Sequence, residues 1–391
     1  MGKELKIKEV CEIIGGYAFK SNKFTNKGVP IIRIGDISAN KVSVSSNTVC
    51  IDEDIEDYKK FVIYKGDILI ALSGATTGKF GIYNEDKVAL LNQRLAKISP
   101  KDDISNRYLY HYMNKLKDII YSKALGCAQP NISPKEIGEI NIFIPSINEQ
   151  SKVVDILDKS QSLIDKRKAQ IEALDELVKS RFIEMFGDPV LNPKGWEKGQ
   201  IADIIIKTQY GTSNKADEQS GKFKILRMNN ITYHGKWDFS SMKYIDLDEK
   251  EKKKYLVYKG EVLFNRTNSK ELVGKTAVYK EDEPMAYAGY LVKAIPNERA
   301  TGEFIAAYMN TKYVKSKLFN MAKNIVGMAN INAEEFKKIN VYIPPIKLQN
   351  EYIKFVNQVD KLKFEMEKSL KELEDNFNSL MQRAFKGELF S

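Results

Sequence analysis

Two glycine- and lysine-bearing strings offer the most obvious chemistry in the chain. SGATTGKF (73–80) and SKELVGKT (269–276) both approach the pattern that wraps backbone amides around a nucleotide phosphate. In the first, the interval from Gly74 to Gly78 is one residue short, and Phe80 stands where a Ser or Thr would hold magnesium. In the second, Ser269 occupies the place of the first glycine. Neither string is expected to cradle a nucleotide.

Other catalytic sets lack parts. Three cysteines (Cys11, Cys50, Cys127) and two histidines (His111, His234) carry no paired spacing, which leaves no disulfide framework, zinc site or Ser/His/Asp triad. They read as ordinary packing residues. The strings NIFIPS and NVYIPP lack the Asn/Asp-Pro-Pro-aromatic arrangement that holds a target amino group for methylation, and no Gly-rich loop follows an early strand to take a methyl donor. No spaced acidic pair with a following Glu-x-Lys suggests nuclease metal ligands. The charge run DEKEKKK (248–254) reads as a solvated face. The chain is therefore expected to be no enzyme in itself, with no catalytic and no metal residues.

What remains is a basic frame. A formal charge of +10 makes a polyanion partner plausible, because neutralising phosphates releases counterions, although Lys-rich usage also follows from an AT-rich genome. A hydrophobic share of 43% is that of a globular protein, and 391 residues suffice for two domains with connecting elements. No apolar run suggests a signal peptide or a membrane span, so a cytoplasmic location is expected.

The elements that carry the loops are written twice. PIIRIGDI (30–37) matches KILRMNNI (224–231) and YKGDIL (64–69) matches YKGEVL (258–263), both 194 residues apart; PNISPKEIGEINIFIP (130–145) matches ANINAEEFKKINVYIP (329–344) 199 residues apart. A long period of this kind indicates duplicated domains rather than a solenoid. Each half reads as alternating strands such as VPIIRI and GDILIAL, polar turns, a helix over 106–123 or 303–319, and a closing strand.

Each half then ends in a long heptad stretch. Leu157, Ile164, Ile171, Val178 and Met185 recur every seventh residue within 148–186. Within 347–385 one row holds Tyr352, Val359, Met366, Leu373 and Leu380, and a second holds Val356, Leu370, Phe377 and Ala384. The spacing predicts two helices, each roughly 40 residues and about 60 Å long, that pair as a coiled coil, and the globular domain between them makes the antiparallel direction the expected one. Shifted back by 199, the second helix's first row falls on Val153, Ser160, Arg167, Leu174 and Arg181, and the polar members Ser160, Arg167 and Arg181 mark either register or an outward docking face. The expected fold class is α+β: two repeat-related globular domains of mixed strands and short helices (1–146 and 188–345), separated by the long helices (147–187 and 346–391) acting as a strut.

At this point the residues resemble a family. RFIEMFGDPVLNPKGWEKGQIADI (181–204) is similar to the central linker of type I restriction-modification specificity subunits. GGYAFKS (15–21), GDILIALSGATTGKFGIY (66–83), LNQRLAKISP (91–100), GCAQPNIS (126–133) and IPSINEQ (144–150) resemble that family's target-recognition domains, in order. The second half, with VLFNRTNSKELVGKTAVY (262–279), AYAGYLVKA (286–294) and NIVGMANINAEEF (324–336), looks like a different subclass, and offers AGYL where LNQR is expected. The resemblance spans essentially the whole chain. It implies a non-catalytic subunit that reads double-stranded DNA at an asymmetric, two-part target. Two modification subunits would methylate adenine there, and restriction subunits would cleave in the full complex. It implies no cofactor on this chain, the methyl donor, ATP and magnesium being bound by the partner subunits, and no membrane partner. A related two-site system outside type I and a non-DNA coiled-coil scaffold stay open as alternatives, as does an autonomous enzyme.

On that resemblance, the donor-rich loop residues expected to meet DNA in the first half are Tyr17, Phe19, Lys20, Ser21, Arg33, Ser73, Thr76, Thr77, Lys79, Asn92, Gln93, Arg94, Gln129 and Asn131. In the second half they are Tyr210, Thr212, Asn214, Arg227, Asn230, Arg266, Thr267, Asn268, Ser269, Lys270, Lys275, Tyr290, Asn330 and Asn332. Gly15, Gly16, Gly74, Gly78, Gly211 and Gly274 are expected to shape turns rather than touch a ligand.

Overall fold

A computed structural model describes residues 2–38, 40–125, 130–325 and 328–389. Cys127 and Gln129 lie outside the described residues. The chain divides into two compact units, residues 1–168 with 368–391 and residues 169–367.

In the first unit the period-2 strand Ile68–Ala71 sits inside a sheet ordered Cys11–Gly15, Leu95–Pro100, Ile68–Ala71, Phe80–Tyr83, Lys41–Val42, Ile37–Ser38. Alternation sends Ile68 and Ile70 to one face and Leu69 and Ala71 to the other. The first pair packs with Tyr108, Leu109, Met113 and Leu116 of the helix Asn106–Ala124. The second pair packs with Ile32, Ile63 and Leu91, which belong to a second sheet in which Val29–Ile32 runs parallel to Ala89–Leu91. The closing strand Asn141–Ile144 pairs antiparallel with Lys3–Lys6.

The second unit repeats this plan. Val262 and Phe264 face a helical layer, whereas Leu263 faces a second sheet, with Leu226 and Tyr287 on its parallel pair Phe223–Leu226 and Met285–Tyr287. The closing strand Asn340–Ile343 pairs with Glu197–Gln200. The helix expected over 303–319 is two helices, Gly302–Met309 and Lys312–Met321. The break comes from polar side chains at the junction: Asn310 Nδ2 donates to Ala306 O and to Thr276 O of a distant strand, and Thr311 Oγ1 accepts from Val314 N to cap the second helix.

The two long helices are Ile147–Phe186 and Ile346–Lys386. In the first unit, Val153, Leu157 and Ile164 from the start of the first share a core with Phe377, Ala384 and Phe385 from the end of the second, with Leu370, Leu373 and Leu380 partly buried beside them. Lys168 pairs with Glu374 at 2.8 Å. In the second unit the ends are exchanged. Phe182 and Phe186 lie 5.6 and 5.4 Å from the Tyr352 ring, flanked by Val178, Met185 and Val356. This pairing is antiparallel, as the domain between the two helices leads one to expect. Val359 is buried, and Ile171 and Met366 are half-buried. Arg181 pairs with Glu184 on its own helix and lies 5.6 Å from the Phe355 ring.

Two of the residues read as packing are more specific than that. Cys11 and Cys50 are buried free thiols, but His111 Nε2 hydrogen-bonds Asp158, and His234 is exposed beside Tyr233.

Candidate nucleic-acid interface

In the first unit, backbone hydrogen bonds gather four separate segments of the chain. Gln93 N donates to Tyr17 O, Leu72 N to Arg94 O, and Gly74 N to Pro130 O, each at 2.9 Å. Bridges join Tyr17 to Asn92 and Ser73 to Asn131. The close approach needs Gly16, because a Cβ there would stand 2.1 Å from Asn92 O. The structure thus brings together Tyr17, Ser73, Thr76, Lys79, Asn92, Gln93, Arg94 and Asn131 as a surface of half-buried and exposed donors. Tyr17 is 41% exposed, and its ring packs 5.0–5.3 Å from Phe19, Tyr58 and Phe61.

Several of the residues expected to meet DNA in this unit are engaged within it. Phe19 is a buried core residue beneath the Tyr17 ring. Thr77 is buried, its hydroxyl donating to Gly74 O and Pro130 O, so it shapes the loop from within. Arg33 turns its guanidinium to Asn47 O at 3.3 Å. Lys20 and Ser21 are exposed, next to the gathered loops in sequence.

The second unit builds the same node from different side chains. Gly211 stands where a Cβ would be 2.3 Å from Ala288 O, Gly289 N donates to Thr212 O, and Arg266 N donates to Tyr290 O at 3.0 Å. The bond from Arg266 to Tyr290 corresponds to the bond from Leu72 to Arg94. The arginine has changed sides: it leaves the loop in one unit and the strand end in the other. The tyrosines are also displaced. Tyr17 corresponds to Thr212 by hydrogen bonding, not to Tyr210, which takes the place of Gly15.

Arg266 is held by its neighbours. Its guanidinium carbon lies 4.9 Å from the Tyr210 ring centroid, and Nη2 donates to Asn330 Oδ1 at 3.4 Å. Asn330 Nδ2 donates to Thr267 Oγ1 at 2.7 Å, and Tyr210 Oη accepts from Ala333 N at 3.0 Å. A small sheet of Thr267–Asn268, Met328–Asn330 and Lys323–Ile325 carries this group. Ser269 is exposed, Lys270 reaches over the Phe319 ring, and Tyr290 is 46% exposed.

Other residues expected to meet DNA here are buried or hydrogen-bonded within the unit. Lys275 is only 6% exposed; its ammonium donates to Met228 O and Ile231 O, and burial pushes its pKa down. Asn230, 2% exposed, accepts from Arg227 N and donates to Asp238 O and Ser241 O, while Arg227 Nη2 donates to Ser241 O. Thr212 and Thr267 are buried. Asn214 donates to Glu251, and Asn332 caps the helix Ala333–Lys337 by accepting from Glu335 N. Polar loop residues commonly serve their own backbone in this way.

The sequence reading missed Gln150 and Gln349, both fully buried, and the exposed Tyr64 and Tyr258. Their equivalent positions in the two halves are the signal that could have found them. Among the described residues, no group of three or more His, Cys, Asp or Glu could hold a metal, and no helix is long and apolar enough to cross a membrane.

Comparison with known proteins agrees with the duplicated architecture. Residues 3–173 and 193–375 each match the family described as the type I restriction modification DNA specificity domain. The chain is 24% identical to the type I restriction enzyme EcoKI specificity subunit of Escherichia coli K12, covering 98% of this chain and 88% of that protein. It is 23% identical to the EcoBI specificity subunit of Escherichia coli over 98% and 85%. In fold it is similar to the S subunit of a type I restriction-modification system from M. genitalium, with TM-score 0.54, 16% identity and coverage of 98% and 96%. A chain from a structure of type I R-M complex assembly and conformational transition gives TM-score 0.61 at 14% identity, covering 99% and 98%. The chain belongs to the type I restriction-modification specificity subunit family and carries two copies of its DNA-recognition domain.

Proposed function

We propose that this chain is the non-catalytic address of a type I restriction-modification complex: it binds double-stranded DNA at an asymmetric two-part target, and partner subunits methylate adenine or cleave. The observation that carries the reading is the node shared by the two units, where Arg94 stands in one and Arg266 in the other on opposite sides of the same hydrogen bond. One scaffold presenting unlike donors suits two unlike half-sites, because base edges are told apart by the placement of donors and acceptors. Phosphate contacts by surrounding Lys and Arg would add affinity without sequence information. The methyl donor, ATP and magnesium belong to the partners in this reading.

The test is to express the chain with its cognate modification subunits in a methylation-free host and map modified adenines. The expected result is one split motif with unlike halves, and no methyl transfer by the chain alone. A continuous or palindromic motif, or transfer by the isolated chain, contradicts the reading.

A further inference from the structure

We infer that Arg266 reads a guanine in the half-site of the second unit, donating from its guanidinium fork to O6 and N7, and that Tyr210 and Asn330 are the positioning residues that aim it. The inference rests on the proposed DNA-reading function and names the base.

Four restraints converge on this one side chain. Its backbone is fixed on both sides, N–H to Tyr290 O and C=O from Ile331 N. The Tyr210 ring lies against the guanidinium and is itself pinned through its hydroxyl by Ala333 N. Asn330 accepts from Nη2 and is pinned in turn through Thr267. Among the described residues, no carboxylate pairs with Arg266, so its charge is uncompensated at the surface of the node.

A flexible lysine suffices for a phosphate, and Lys270, on the same loop, offers one. A rigid planar fork is suited to an acceptor pair of fixed spacing. Guanine is the base that presents two acceptors side by side in the major groove. The first unit places Leu72 at this position, so the same readout is not available there from the strand end.

The experiment is adenine-methylation mapping of the full complex carrying wild type, Arg266→Lys, Asn330→Ala or Tyr210→Phe. The wild-type motif is expected to contain a G·C pair in one half. Arg266→Lys, which keeps the charge and loses the fork, should relax that pair alone, with preference for guanine falling on the order of 10- to 100-fold. Asn330→Ala should relax the same pair more weakly, and so should Tyr210→Phe, which keeps the ring against the guanidinium but frees it from Ala333 N. A wild-type motif whose variant-sensitive half has no G·C pair overturns the inference, as does an unchanged motif in Arg266→Lys. If Arg266→Lys abolishes methylation, Asn330→Ala decides between relaxation at the G·C pair and an intact motif. A wild type that yields no split motif overturns the functional reading itself, and that outcome is distinct from a split motif insensitive to Arg266.

Discussion

The backbone amide of Ser105 donates to the carboxamide oxygen of Gln150 at 2.8 Å, and Thr301 makes the same bond to Gln349 at the same distance in the second unit. Each glutamine also donates to two carbonyls, Asp103 and Pro145 in one case and Arg299 and Pro344 in the other. Both lie in the first turn of a long helix, and both bond the N-cap residue of the helix that covers the domain's sheet. Helix and domain are thereby docked through one fully satisfied buried side chain.

Removing either glutamine leaves three backbone groups without their partner, the proline carbonyl buried and the other two part-buried. Gln150→Ala or Gln349→Ala should each cost about 2–4 kcal/mol, because unsatisfied buried groups carry their full desolvation penalty. Urea unfolding of the single variants measures this, and a change below about 0.5 kcal/mol contradicts the docking role.

Acidity should weaken the first unit through His111. Burial lowers its pKa from the usual 6.5, outweighing the hydrogen bond to Asp158 that favours the charged ring. The unfolded chain takes up a proton near pH 6.5 and the folded chain only below that. Stability is therefore complete above 6.5 and is lost as pH falls through the depressed value. His111→Gln, which keeps a donor for Asp158, should flatten the loss between pH 7.5 and 5.5. Parallel slopes for variant and wild type would argue against this.

Gly16 and Gly211 let strand and loop backbones touch. Gly16→Ala places a methyl group 2.1 Å from Asn92 O and should displace the loop bearing Gln93 and Arg94, costing about 1–3 kcal/mol and lowering methylation. Gly35→Ala, which meets nothing within 4 Å, is the control. Equal behaviour of the two variants, by thermal melting and methylation rate, contradicts the packing argument.

Two lysines five residues apart should behave oppositely. Lys270→Ala should reduce the slope of log affinity against log salt by about one, the signature of one lost phosphate contact. Lys275→Met should leave that slope unchanged while destabilising the fold by about 2 kcal/mol, because Met228 O and Ile231 O lose their donor. Salt titrations of DNA binding and urea unfolding separate the two, and a salt effect at Lys275 would reverse its assignment.

The duplication and the paired long helices were legible because repeats and heptads are patterns of the sequence itself. The strand GDILIAL was legible as well, whereas the layers that Ile68 and Ile70 on one face and Leu69 and Ala71 on the other pack against came from the structure. What was not legible is which side of a loop faces inward. Thr77, Asn230 and Lys275 have the same composition as a contact surface, yet each serves carbonyls or amides of its own unit. The change of sides between Arg94 and Arg266 depends on hydrogen bonds between segments far apart in sequence, and so does the role of Gln150. The break at Asn310 depends on Thr276, a strand residue more than 30 positions away.

The central claim is that each unit reads its own half of a split target. The most direct measurement is the methylated motif of the full complex carrying Gln93→Ala or Arg94→Ala, set beside that of Asn268→Ala. The expected result is that the first two change one half of the motif and the third changes the other half. A single substitution that alters both halves, or any of the three leaving a wild-type motif with both halves equally strict, contradicts the division of labour.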